Sequence, residues 1–225
     1  MIHIKQLQKS YGSKRVLYSI NLTFERGKVY GIVGENGAGK TTLFKCLAQL
    51  EKHNGNIVSD IEPRKNHLAY LPTTPYMPEH ITGSEYLQLL CSAREISIGD
   101  FETQNIFNLP LKEYASKYST GMKKKLALTG VLLQKNEVFI LDEPFNGVDI
   151  QSNILITEII KKLKALGKTI IISSHIFSTL SQTCDTIFLL KNGTIIKEVI
   201  QEDFNLLEEE MKTEILLSEI DKLDL

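Results

Sequence analysis

Gly34-Glu35-Asn36-Gly37-Ala38-Gly39-Lys40-Thr41 fits G-x-x-x-x-G-K-[ST], and those residue types at those spacings can cradle a phosphate. Glycines admit dihedral angles that a side chain forbids, so successive backbone N–H groups can turn toward one anion. A helix starting at the end of the loop adds the positive end of its dipole. Lys40 then offers a mobile ammonium to the β and γ phosphates, the Thr41 hydroxyl offers a hard oxygen to Mg²⁺, and Thr42 is expected to join the loop in binding the nucleotide. With glycine at about 7% of residues, a chance match in a chain of this length is about 1%. The plain alternative is an ordinary glycine turn.

Two apolar runs end in groups that could work beside such a loop. Val138-Phe139-Ile140-Leu141 leads into Asp142 and Glu143, and a buried strand ending in unpaired carboxylates is costly. A metal ion at the strand's end would offset that cost. Asp142 is expected to hold Mg²⁺, directly or through water, and Glu143, pointing elsewhere, to polarise an attacking water as general base. For Asp142 alone, the simpler role is an N-cap. His175 closes the run Ile170–Ser174 and can donate a hydrogen bond to a γ-phosphate, although a lone histidine is more often structural.

These residues need elements to hold them. Val29–Val33 is a continuous apolar run before the glycine loop, and Leu43, Phe44, Leu47 and Leu50 after it keep helical spacing. Strand, glycine loop and helix open a parallel α/β unit. Leu68–Leu71, Val138–Leu141, Ile170–Ser173 and Ile187–Leu190 read as further buried strands, with a helix over Leu155–Leu166 on the stripe Leu155, Ile159, Leu163 and Leu166. Ile20, Leu22 and Phe24 alternate, with Ile2 to Leu7 as a weaker partner, and Asn192-Gly193 predicts a hairpin into Thr194–Val199. The fold class is therefore α/β, a mostly parallel sheet with antiparallel additions.

Between Tyr76 and Lys125 strand-like runs vanish and a capped helix is expected over Ser84–Glu95, so residues 76–125 form a helical insertion. The core then comprises 1–75 and 126–202. A tail helix over 203–225 carries Leu206, Leu207, Leu216, Ile220 and Leu223 on an apolar side, and Glu208-Glu209-Glu210 as a solvated face.

The 225 residues, at net charge −1 and 42% hydrophobic, suit one large domain. No apolar run approaches the ~20 residues that span a bilayer, and the N-terminus lacks the apolar region of a secretory signal. Cys46, Cys91 and Cys184 are too scattered for a metal cluster or disulfide framework and are expected to be reduced core fillers. The balanced charge gives no basic stripe, so no nucleic-acid partner is expected.

Taken together, these residues resemble the ATP-binding cassette family, specifically the nucleotide-binding subunit of an ABC transporter, over most of the chain to about Val199. Besides the phosphate loop and Val138–Glu143, the resemblance rests on Tyr118-Ser119-Thr120-Gly121-Met122, which looks like the family signature, followed by Lys123–Lys125. Asn146-Gly147-Val148-Asp149 resembles the D-loop, Ser173-Ser174-His175 the switch histidine, and Tyr11 the aromatic that stacks on adenine.

The resemblance implies a P-loop NTPase fold with an N-terminal antiparallel β subdomain and an inserted α-helical subdomain. It implies that ATP binds the loop of one cassette and is closed over by Ser119, Thr120, Gly121 and Met122 of a second, in a homo- or heterodimer. Hydrolysis would drive a separately encoded integral membrane permease, placing the subunit in the cytoplasm on the inner face of the membrane. Read without the resemblance, Ser119 is also a helix N-cap.

Two departures stand out. Thr73 occupies the place where the family carries a glutamine that touches Mg²⁺ and water, and Thr120 replaces the first glycine of the signature. They motivate an alternative reading, a nucleotide-gated regulatory module with little turnover. A non-transport cassette ATPase is a third; Lys40 and Asp142 stand 102 positions apart (142 − 40), too few for the long coiled-coil arm of the DNA-repair relatives. Lys40, Asp142, Glu143 and His175 are all present, so hydrolysis is expected. Replacing Lys40 by Ala is expected to weaken ATP binding roughly 10- to 100-fold, the worth of a charge-assisted hydrogen bond, in a fluorescence titration. Unchanged affinity would contradict the phosphate role.

Overall fold

The computed structural model describes residues 1–62 and 64–219, with 214–219 described as helical backbone. The early alternation folds as β1 (Ile2–Tyr11) against β2 (Lys14–Phe24), antiparallel, burying Ile2, Ile4, Leu7, Leu17, Ile20, Leu22 and Phe24. The far edge of β1 pairs with β4 (Asn54–Ser59), completing a three-stranded antiparallel sheet. Sequence reading missed β4, because an edge strand rich in Asn and Gly needs only Ile57 to meet the core.

The second sheet has the order β5-β6-β7-β3-β8-β9, from β5 (Leu68–Leu71), β6 (Val138–Asp142), β7 (Thr169–Ser173), β3 (Val29–Val33), β8 (Thr186–Lys191) and β9 (Thr194–Ile200). All pairs are parallel except β8 with β9. Its inner strands are mostly apolar between their ends because both faces are covered. Val29, Val33, Phe139, Leu141, Ile170 and Ile172 pack toward the helical side, while Tyr30, Ile32, Val138, Ile140, Ile171 and Phe188 pack toward the antiparallel sheet.

The helices are α1 (Lys40–Leu47), α2 (Gly83–Ser92), α3 (Thr120–Leu133), α4 (Ile150–Ala165), α5 (Phe177–Ser181) and α6 (Phe204–Glu219). A capping box of Thr82 and Glu85 starts α2, which stops at Ser92 rather than Glu95. Several boundaries differ from expectation. Leu50 lies past the end of α1 and is exposed. The division at Lys125 falls inside α3, whose residues Leu126 to Val131 are all buried and so show no amphipathic period. At α4, the Asp149 cap sets the start at Ile150, and Leu166 is an exposed C-cap.

In α6, Phe204 and Leu207 enter the core, but Leu206 is exposed and does not share their face. Ile220, Leu223 and the Leu216 side chain lie outside the described residues. The acidic run is mostly solvated, with Glu208 and Glu209 near Lys212 and Glu210 paired with Lys197. All three cysteines are free and buried, and burial pushes the Cys46 thiol up to about 11 and Cys184 to about 12. No described helix is long and apolar enough to cross a membrane.

The β8–β9 hairpin turns at Asn192 and Gly193, both at positive φ (49° and 75°), the backbone of a type I′ turn. Its tip is tied into the molecule. Gly193 N–H donates to the Ala38 carbonyl (3.0 Å), and its own carbonyl accepts from Tyr18 N–H (2.8 Å). A Cβ at Gly193 would stand 2.0 Å from the Val16 carbonyl oxygen. Replacing Gly193 by Ala is expected to destabilise the fold by about 1–3 kcal/mol, read as a lower melting temperature by circular dichroism, and a melt equal to wild type would refute this.

Candidate functional site

Parallel strands deliver their following loops to one edge of the sheet, where open α/β folds bind ligands. Here β3 delivers Gly34–Gly39, β6 delivers Asp142 and Glu143, and β7 delivers Ser173–His175. Asp142 and Ser173 are register partners, and Ile32 pairs with Ser173 on the other side. A cavity of about 640 Å³ opens between them.

The loop's end is set by Gly39, whose φ of 112° caps α1 in a conformation other residues avoid. Lys40, next in the chain, is buried at 7% exposure and folds its ammonium onto the loop carbonyls of Gly34 (2.6 Å) and Glu35 (3.2 Å). Its Nζ lies 3.8 Å from Glu143 Oε1. A phosphate in the loop would replace neutral carbonyls by anionic oxygens as its partners, a stronger interaction.

Asp142 has no solvent exposure and accepts from two hydroxyls, Thr41 Oγ1 at 2.7 Å and Ser173 Oγ at 2.7 Å. Thr41 and Asp142, 101 residues apart in sequence, thus present a hydroxyl and a carboxylate at one point. Hard oxygens in that number fit Mg²⁺, which keeps several waters, takes one or two protein oxygens and completes its shell on substrate phosphates. Among the described residues there is no cluster of three or more His, Cys, Asp or Glu that would suit a metal held by protein alone.

Glu143 is buried, and its backbone is left-handed at φ 52°. That turn separates its carboxylate from Asp142 and aims it at His175, accepting from the His175 backbone N–H (3.2 Å) and meeting Nδ1 at 2.8 Å. The His175 ring is half-exposed, so its other edge is open to a ligand. The Glu143 N–H donates to Ser173 Oγ (2.9 Å).

Of the residues singled out from sequence, Gly34, Glu35, Asn36, Gly37, Gly39, Lys40, Thr41, Thr42, Asp142, Glu143 and His175 line this cavity, as does Thr73. Ala38 instead turns into the core under the antiparallel sheet. Tyr11 is off the cavity wall, exposed at the end of β1 with the Lys9 ammonium 4.5 Å from its ring centre. The signature stands apart: Ser119 caps α3 by accepting from Met122 N–H (3.2 Å), and Thr120 and Gly121 form its first turn. Asp149 caps α4 through Ser152 N–H (2.8 Å) and pairs with Lys125 (3.1 Å).

Sequence reasoning missed Val16 on the cavity wall and the clamp that Ser173 places on Asp142, and it named Asn146 only as the start of the D-loop resemblance. A serine closing an apolar strand was a usable signal. Its alignment with Asp142 depends on strand register, which no local pattern carries.

Residues 17–146 match the family model described as ABC transporter. The bacitracin transport ATP-binding protein BcrA of Enterococcus faecalis is 34% identical over 215 residues, which cover 88% of this chain and 69% of that protein. The lantibiotic transport ATP-binding protein SrtF of Streptococcus pyogenes is 32% identical over 230 residues, covering 96% and 98% respectively. A solved structure of an ATP binding subunit of an ABC transporter superposes with a TM-score of 0.84 at 27% identity, over 96% of this chain and 99% of that one.

The Ser152 N–H and the Lys125 ammonium hold the Asp149 carboxyl well below the usual carboxylate range. Its folded-state value is below its unfolded one, so the stability it contributes is complete above that range and is lost as pH falls. Melting temperatures of wild type and Asp149→Asn are therefore expected to differ at neutral pH and to draw together progressively as pH falls from about 4 toward the depressed folded-state value. A difference that persists in acid would show that the charge is not what matters.

Proposed function

The chain belongs to the ABC transporter family, and on that premise we propose that it is the subunit that binds and hydrolyses ATP, paired with a second cassette, to drive a separately encoded membrane permease. The observation that carries the reading is the 2.7 Å contact of Thr41 with Asp142, beside Lys40 and Glu143 in one cavity. The triphosphate lies along the loop, its charge met by backbone N–H groups and by Lys40 once that ammonium leaves the Gly34 and Glu35 carbonyls. Thr41 and Asp142 hold Mg²⁺, which when bound neutralises phosphate charge. Both Asp142 oxygens already accept hydrogen bonds, so the carboxylate is oriented before any ligand arrives.

Glu143 accepts the proton of the attacking water at a carboxylate oxygen, and His175 holds that carboxylate while its open ring edge donates to the γ-phosphate. Tyr11, exposed near the loop's flank, stacks on adenine. The start of α3, with Ser119 and the N–H groups of Thr120 to Met122, faces the nucleotide of the second cassette. Binding to the permease holds the subunit at the cytoplasmic side of the membrane.

Turnover tests this. Replacing Glu143 by Gln is expected to lower the ATPase rate of the protein, alone and with its permease, by about 10²- to 10⁴-fold while ATP binding persists. Wild-type protein that forms ATP-dependent dimers but turns over no faster than this variant would instead favour the low-turnover module.

A further inference from the structure

Lys124, in the second turn of α3, is 1% exposed. Lysine is almost never buried this completely unless it is paired. Burial pushes its ammonium below the ordinary lysine range, while the nearby Asp142 and Glu143 charges pull it back up. Its Nζ donates to the backbone carbonyl of Glu143 at 2.7 Å, within the protein interior. An apolar side chain would fill the same volume without the cost of desolvating a charge. The ammonium is accounted for by what it holds.

What it holds is an unusual backbone. Glu143 sits at φ 52°, where non-glycine residues are uncommon and which surrounding contacts must impose. The loop that follows is gripped at two more points by the same helix. A Cβ at Gly121 would lie 2.4 Å from the Gly147 carbonyl oxygen, so α3 packs directly on that peptide. Lys125 pairs with Asp149 at 3.1 Å. The first two turns of α3 therefore meet the loop from Glu143 to Asp149 at its start, middle and end.

We propose that Lys124 is a positioning residue for ATP hydrolysis: its buried ammonium holds the Glu143 carbonyl and so keeps the Glu143 carboxylate at His175 and Lys40. The same bond makes the helix bearing Ser119–Met122 a support of this chain's own water-activating residue. The kinetic part of the inference rests on the reading of Glu143 as general base given above; the positional part does not.

Two variants separate this role from general packing. Lys124→Met keeps the length of the side chain and removes its N–H donors, and Lys124→Gln keeps a donor without the charge. With Met, kcat is expected to fall about 10- to 100-fold, the scale of an ångström-level displacement of a catalytic group, with KM and the directly measured ATP affinity nearly unchanged. Gln is expected to restore kcat to within about threefold of wild type. A crystal structure of the Met variant is expected to show the Glu143 carboxylate released from His175 Nδ1.

Unchanged kcat in the Met variant, a loss expressed as ATP affinity, or failure of Gln to restore turnover would overturn the proposal. So would a Glu143–His175 contact that survives in the variant structure. If the Met variant does not fold, Lys124→Gln against Lys124→Ala supplies the same comparison. Should the wild-type chain bind ATP without turnover, the general-base reading fails on its own, and the position of Glu143 in the variant still decides the role of Lys124.

Discussion

A carboxylate removed from water stands only where donors replace its hydration, and Asp142 has them on both oxygens. The bonds from Thr41 and Ser173 join the first turn of α1, the end of β6 and the end of β7. Each donor is fixed by backbone geometry rather than by a long flexible side chain. A one-residue slip of β6 against β7 that put Asp142 in the place of Leu141 would turn its carboxylate toward the apolar interior and away from Ser173. The position of the phosphate loop relative to the strand carboxylate thus follows from strand register, and the cavity's shape follows from both.

The sheet divides the interior into two apolar bodies. Leu43, Phe44 and Leu47 of α1 pack with the antiparallel sheet on one side, and Leu87 of α2, Leu126 of α3 and Ile156 of α4 pack on the other. Each fully buried residue of this size contributes about 1.5–3 kcal/mol, so both bodies are stable supports. At the carboxyl edge they are joined by polar contacts, the Thr41–Asp142 bond from the α1 side and the Lys124–Glu143 bond from the α3 side. The cavity lies at the seam between these two packed bodies, where a ligand can touch both.

The parts of this arrangement legible in the sequence were those with a local signature. The phosphate loop has fixed spacing, and β3, β6 and β7 are mostly apolar between their ends because both faces are covered. The Asn192-Gly193 turn declares its own dihedral angles. Features set by distant partners were not legible. Strand β4 exists because β1 has an edge to fill, and Ser173 meets Asp142 only through the register of β6 against β7. Lys124 sits among three lysines, a pattern that reads as solvated until the fold turns one of them inward. The end of α1 was misjudged because Leu50 kept the helical spacing after the helix had stopped.

Hairpin tips are ordinarily where a chain tolerates extra residues or a new pair of ends. The tip at Gly193 is closed to both. Its glycine is buried, its N–H is bound to the phosphate loop at Ala38, and its carbonyl to β2 at Tyr18. A grafted tag or a circular permutation placed there would unhook the loop from its outer brace. For anyone joining this domain to another, this turn is a poor place to cut.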